Sequence, residues 1–306
     1  MNRLSLALCA AALCFIALVP SRTAAATLVP LPAPAESFDI GFLHVDRYGS
    51  GPSSIIIIPG LACGPWEWAR EITLLSRNDT VYALTLSGFD GRPYTISGDP
   101  FDEFSRNFWA LLDARKIERP VVIGHSLGGT LALTLAEEHS DRLAGVLALD
   151  GLPVFPALAQ ADASAREKAA RGASAQIAAV THDQLVAYER VYMQQIGTLD
   201  PSLVEPTAAL EARSDPKGIA AWISADLSRD LRPGLVRITI PLIELMPYAS
   251  PSPYTQAQTV SFYQSLLLGA STASVVPIEN ARHFAMLDQP EAVDAGIKQL
   301  LAQAHP

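Results

Sequence analysis

The sequence predicts an α/β fold, a doubly wound and mostly parallel sheet interrupted by a helical insertion. Three observations carry that prediction. Ile55-Ile56-Ile57-Ile58 is an unbroken β-branched run, the composition of a strand buried on both faces. Val121-Val122-Ile123 is a second apolar run, and it passes through Gly124-His125-Ser126-Leu127-Gly128-Gly129 into Thr130–Glu138, an Ala/Leu stretch with helical spacing and no breaker. Val81–Leu86 and Gly145–Leu149 repeat the alternation of apolar strand with helix. Sheets of this kind bind ligands at the carboxyl ends of their strands.

The whole chain has 306 residues, a formal net charge of −9 and 49% hydrophobic residues. That acidity gives no basic patch for nucleic acid, and the apolar fraction supports one large core, an α/β domain with an insertion. The expected organisation is a signal peptide over 1–26, a flexible lead-in over 27–37, a core from 38–153 and 238–306, and a helical insertion over 154–237. The signal reading rests on Arg3, the apolar run from Leu4 to Pro20, and Ala24-Ala25-Ala26 as a small-residue cleavage site. It implies a secreted or periplasmic protein with no stable membrane anchor after cleavage; an uncleaved anchor is the alternative, since the run is short for a spanning helix. Cys9 and Cys14 would leave with the signal. Cys63 then stands alone and no internal disulfide forms.

Along the chain, Ile40–Tyr48 alternates as an edge strand and Gly49-Ser50-Gly51-Pro52 reads as a hairpin turn into Ile55. Pro59-Gly60-Leu61-Ala62-Cys63-Gly64 is a loop at that strand's carboxyl end. Trp66 and Trp68 follow, as pocket lining or as helix packing. Asp99 caps, and Pro100 starts, a helix running to Ile117. The insertion contains helical stretches at 165–170, 174–180, 183–196 and 219–227, broken by Gly172, Pro201, Pro206 and Pro216. Ile238–Met246 is a strand, 247–253 a proline-rich loop, 260–268 a helix and Ser274–Ile278 the last strand. Pro290 begins a terminal helix capped by Asp288 or Gln289.

Chemistry concentrates at Ser126. By chance a G-x-S-x-G pentapeptide appears in roughly one chain of this length in ten, so the pattern matters through its context. Between a strand and a helix it is a strained turn that lifts the serine hydroxyl off the sheet, and its glycines remove collisions with both neighbours. The N–H of Leu127 then faces a developing oxyanion. With these pieces, and with Leu86-Ser87-Gly88-Phe89-Asp90-Gly91 and Arg282-His283-Phe284, the chain from Phe38 onward resembles the α/β-hydrolase superfamily, and within it the cap-bearing esterase-type members. Pro59 departs from the histidine that many members carry there.

The resemblance implies a serine hydrolase of carboxylic esters acting on a small molecule without cofactor or metal. Ser126 is the nucleophile, His283 the base, and Leu61 and Leu127 the oxyanion donors through their backbone N–H groups. The loop after Leu242–Met246 offers no carboxylate where members commonly carry the acid. Two candidates remain: Asp150, at the end of the strand beside the elbow strand, and Glu244, inside a strand where an ionised group is costly unless paired. Asp150 is preferred. Amide, lactone or carbon–carbon bond hydrolysis on the same triad, and a non-catalytic binding protein of this fold, stay open as alternatives. Oligomeric state is not legible.

Overall fold

The computed structural model describes residues 27–304; the signal peptide expected over 1–26 lies outside them. Eight strands make one sheet: β1 (Glu36–Ile40), β2 (Leu43–Tyr48), β3 (Ser54–Ile58), β4 (Thr80–Thr85), β5 (Val121–His125), β6 (Gly145–Leu149), β7 (Leu242–Tyr248) and β8 (Ala273–Glu279). Their spatial order is β1-β2-β4-β3-β5-β6-β7-β8; β2 runs antiparallel to both of its neighbours, β1 and β4, and every other pairing is parallel. This is the α/β-hydrolase fold, as predicted.

Helices cover both faces. In chain order they are α1 (Ala69–Leu75), α2 (Pro100–Arg115), α3 (Leu127–Glu138), α4 (Ala163–Ile177), α5 (His182–Tyr192), α6 (Pro201–Glu211), α7 (Pro216–Ser228), α8 (Gln256–Leu266), α9 (Ala285–Asp288) and α10 (Pro290–Ala304). The isoleucine run of β3 shows why two layers are needed. Side chains alternate across a strand, so Ile56 and Ile58 pack with Phe104, Phe108 and Leu131 on one face, while Ile55 and Ile57 pack with Trp68, Ile123 and Val293 on the other. All four isoleucines are at most 1% exposed. Asp99 caps α2 by accepting from the Phe101 and Asp102 N–H groups, ahead of Pro100.

Several expectations are corrected. The segment 40–48 is two strands, with the turn at Gly41, whose φ of +57° suits glycine. Residues 49–52 are therefore no hairpin: β2 pairs with β1 and β4, and β3 lies beyond β4. Alternating polarity locates a strand but does not choose its neighbour. The lead-in is shorter than expected, because β1 begins at Glu36 and Leu31 packs on the core. Strand β7 starts at Leu242 rather than Ile238, after a 3₁₀ turn over Arg232–Arg237, and continues through Pro247 to Tyr248.

Between β6 and β7 the prolines start helices more often than they break them. Pro201 and Pro216 sit at the first positions of α6 and α7, behind the capping residues Asp200 and Asp215, where a missing N–H costs nothing. Pro206 lies inside α6 and Gly172 inside α4. The two ends of this stretch meet at a bridge between Val154 and Asp230, with the Leu231 N–H donating to the Pro153 carbonyl at 2.7 Å. Trp222 of α7 is fully buried against Phe42, Phe89 and Phe101, and its indole N–H donates to the Ser87 carbonyl at 2.9 Å. The helical stretch is thereby keyed into the core.

Candidate active site

Ser126 occupies the turn between β5 and α3 with φ 50° and ψ −119°, outside the helical and strand basins. Such a conformation costs of order 1–3 kcal/mol and persists only where the surroundings enforce it. The enforcement is visible. A Cβ on Gly124 would stand 2.1 Å from the Gly128 carbonyl oxygen, and one on Gly128 would stand 2.3 Å from that of Ile58. The Ser126 N–H donates to the Leu149 carbonyl at 2.9 Å, tying the turn to β6. Leu127 is the first residue of α3, so its N–H has no intrahelical acceptor. Leu61 and Leu127 line the same cavity as Ser126.

His283 and Asp150, far apart in sequence, meet at the same cavity. The Asp150 Oδ2 lies 2.5 Å from His283 Nδ1. An ionised carboxylate only accepts, so Nδ1 donates and Nε2 is left as the ring's acceptor. Asp150 turns the chain after β6 with φ +51°. Burial would raise its carboxyl, but the His283 charge and hydrogen bonds from His283 and Tyr263 hold it below the usual carboxylate range. The Tyr263 hydroxyl donates to the other Asp150 oxygen.

Glu244 does not reach His283. It is fully buried beneath Asp150, where its Oε1 accepts from the Gly151 N–H at 3.2 Å and its Oε2 has no partner. Burial, then the Asp150 charge, pushes it well above the carboxylate range. The alternative acid is thus a buried carboxyl that supports the Asp150–Gly151 turn.

The loop carrying His283 is pinned from two sides. The His283 and Phe284 N–H groups donate to the Ile196 and Gly197 carbonyls, at 3.1 and 2.9 Å, in the π-helical turn Met193–Gly197 that follows α5. Arg282 reaches the Gln194 and Thr198 carbonyls at 2.7 and 3.0 Å.

Sequence reasoning missed one device altogether. Glu67, 2% exposed, accepts from the Gly60 N–H at 2.9 Å and sits 3.0 Å from His125 Nδ1; His125 Nε2 lies 3.1 Å from the His283 carbonyl oxygen. Three loops are joined through two side chains. An acidic residue in an otherwise apolar Pro-Trp-Glu-Trp turn was the available signal. Trp66 and Trp68, expected as possible lining, do not border the cavity: Trp68 packs in the core on α1's side of the sheet.

The cavity measures about 660 Å³. Its walls come from the strand ends and from the helical stretch, including Ile177, Leu185, Tyr188 and Ile223. A volume of this size suits a small organic ligand. Among the described residues no cluster of three or more His, Cys, Asp or Glu side chains is placed to hold a metal ion.

An open, mostly parallel sheet with a strained serine at the β5–α3 turn, and a histidine–aspartate pair lining the same cavity, is the arrangement of the α/β hydrolases. The chain belongs to the alpha/beta hydrolase family, whose model matches residues 55–295. It is 22% identical to the pimeloyl-[acyl-carrier protein] methyl ester esterase of Vibrio parahaemolyticus over 66% of this chain and 78% of that protein. It is 30% identical to the (lyso)-N-acylphosphatidylethanolamine lipase of Bos taurus over 34% of this chain, a match that spans only about a third of that lipase (32%). Among solved structures, a thermophilic esterase from Thermogutta terrifontis superposes with a TM-score of 0.72 at 17% identity, covering 89% of this chain and 100% of that one.

Proposed function

We propose that the protein is a serine hydrolase that cleaves carboxylic esters through an acyl-enzyme. The observation that carries this reading is the 2.5 Å Asp150–His283 contact at a cavity that also holds Ser126 in its strained turn. Two relatives with ester-cleaving names support the bond type.

In this reading the Ser126 Oγ attacks the acyl carbon as its proton passes to His283 Nε2. Asp150 keeps Nδ1 protonated, so the ring presents its acceptor to the serine, and its charge stabilises the imidazolium. The Leu61 and Leu127 N–H groups bind the carbonyl oxygen as it gains charge. Collapse expels the alcohol, which takes the proton back from Nε2. Water, deprotonated by the same nitrogen, then releases the acid and restores Ser126. The residues between β6 and β7 act as a cap that selects which esters enter.

The test is covalent. A fluorophosphonate probe is expected to label the wild type at Ser126 and to leave Ser126→Ala unlabelled, with p-nitrophenyl ester hydrolysis lost in parallel. Labelling that persists in Ser126→Ala, or a folded wild type inert to both probe and esters, overturns the assignment.

A further inference from the structure

The charge inventory of the cavity is one-sided. Asp150, Glu189, Glu211 and Asp226 line it, and no lysine or arginine does. Asp150 is engaged by His283 and Tyr263, and Asp226 has a hydrogen bond to Thr130 with the Arg229 charge nearby. Glu189 and Glu211 are different. They lie on the adjacent helices α5 and α6, only 6% and 2% exposed. Glu211 Oε1 has the Cys63 thiol at 3.9 Å, a weak donor at long range, and its Oε2 has no partner at all.

An unpartnered buried polar atom costs about 1–3 kcal/mol. Glu211 Oε2 gains no partner from the fold, so its unmet bonding capacity points to a group that arrives from outside. We propose that Glu189 and Glu211 form a subsite for a protonated amine carried by the substrate. The proposal takes the word substrate from the hydrolase reading above, but the binding itself does not depend on catalysis.

Chemistry selects among ligands. A carboxylate would add negative charge to a cavity lined by four acidic residues and by no lysine or arginine. A neutral acceptor such as an ether or carbonyl would engage one acidic proton and leave the second acid unmet. An ammonium group has three donors and one positive charge, so it can bridge both carboxyls. Burial pushes Glu189 up to about 7 and lifts Glu211 well above the carboxylate range, with the Glu189 charge adding to the shift on Glu211. Burial thus disfavours negative charge on both acids in the empty cavity, and a bound cation offsets that cost. The location also fits. Tyr192, whose ring stands edge-on to His283 with centroids 6.1 Å apart, follows Glu189 by three residues, a rise of about 5 Å along α5. An amine held there belongs to a molecule long enough to reach the Ser126 end of the same cavity.

Calorimetric titration of the wild type with hexylammonium, hexanol and hexanoate at pH 8 tests the subsite without turnover. Hexylammonium is expected to bind at least tenfold more tightly than hexanol, with hexanoate weakest. The double variant Glu189→Gln/Glu211→Gln is expected to bring hexylammonium to the level of hexanol. Hexanol binding as tightly as hexylammonium to the wild type, or an ammonium preference that survives in the folded double variant, overturns the proposal; the wild-type comparison stands if the variant does not fold. A second arm compares p-nitrophenyl 6-aminohexanoate with p-nitrophenyl heptanoate, where kcat/KM is expected to favour the amine at least tenfold. Ammonium selectivity in binding with no ester turnover would refute the hydrolase reading and leave the subsite standing. Turnover of both esters without preference would do the reverse.

Discussion

At Asp150 three bonds decide what one carboxylate does. His283 and Tyr263 occupy its two oxygens, and the buried Glu244 carboxyl accepts the next residue's N–H from below. Removing the charge while keeping the shape isolates its part in catalysis. Asp150→Asn is expected to lower kcat by about two to four orders of magnitude, because the amide no longer enforces the Nδ1–H tautomer or stabilises the imidazolium. Glu244→Gln keeps an acceptor for Gly151 and is expected to stay within about tenfold of wild type, since its donor capacity resembles that of the neutral acid. Steady-state rates on one p-nitrophenyl ester, with folding checked by circular dichroism, settle the pair. A larger loss in Glu244→Gln than in Asp150→Asn would move the acid's role to Glu244.

Elements matter here through where they touch. The helical stretch between β6 and β7 supplies cavity wall from α4, α5, α6 and α7, while its π-helical turn holds the backbone of His283. One stretch thus borders the cavity and also holds the histidine loop, and substitutions should separate the two contacts. Ile223 of α7 lines the cavity and lies on a different helix from the turn that holds the histidine loop. Ile223→Trp is expected to lower kcat/KM for octanoate esters by more than tenfold and for acetate esters by less than threefold, because added bulk excludes only the longer chain. An equal loss on both esters would count against selection by this wall. The Glu67–His125 connection has the complementary role. Glu67→Leu leaves the Gly60 N–H without its acceptor and His125 without its carboxylate, so kcat is expected to fall at least tenfold with KM changed little, measured on the same esters.

Across the whole molecule, buried carboxyls set how stability varies with pH. Glu71, 1% exposed, is raised from 4.5 to about 8, by burial first and against the pull of Arg70. The folded chain therefore keeps a proton that the unfolded chain releases, and stability contributed by this group is present below about 4.5 and declines as pH rises toward about 8. Asp150 has the opposite sign: its lowered value means stability that is lost as pH falls through the folded value, below the usual carboxylate range. Scanning calorimetry is expected to show Tm falling between pH 5.5 and pH 8. Glu71→Gln is expected to flatten part of that slope; an unchanged slope would show that Glu71 does not titrate in this window.

The sequence alone determined the features that follow from local chemistry. A continuous β-branched run marks an interior strand, a serine between flanking glycines at a strand–helix junction marks a tight turn, and Asp-Pro ahead of an apolar period marks a helix start. The turns that carry Ser126 and Asp150 were legible because each follows directly on such a run. Tertiary structure alone decided what depends on partners distant in the chain. It chose β4 rather than β3 as the neighbour of β2, gave Asp150 to His283 and withheld Glu244 from it, and linked Glu67 through His125 to the histidine loop. It also brought Glu189 and Glu211 to one wall from two helices whose sequences show only a solvated-looking charge. The physical reason is common to all of these. Whether a carboxylate is an ion, a neutral acid or a ligand site depends on its burial and on the groups that reach it, and neither is a property of its neighbours in sequence.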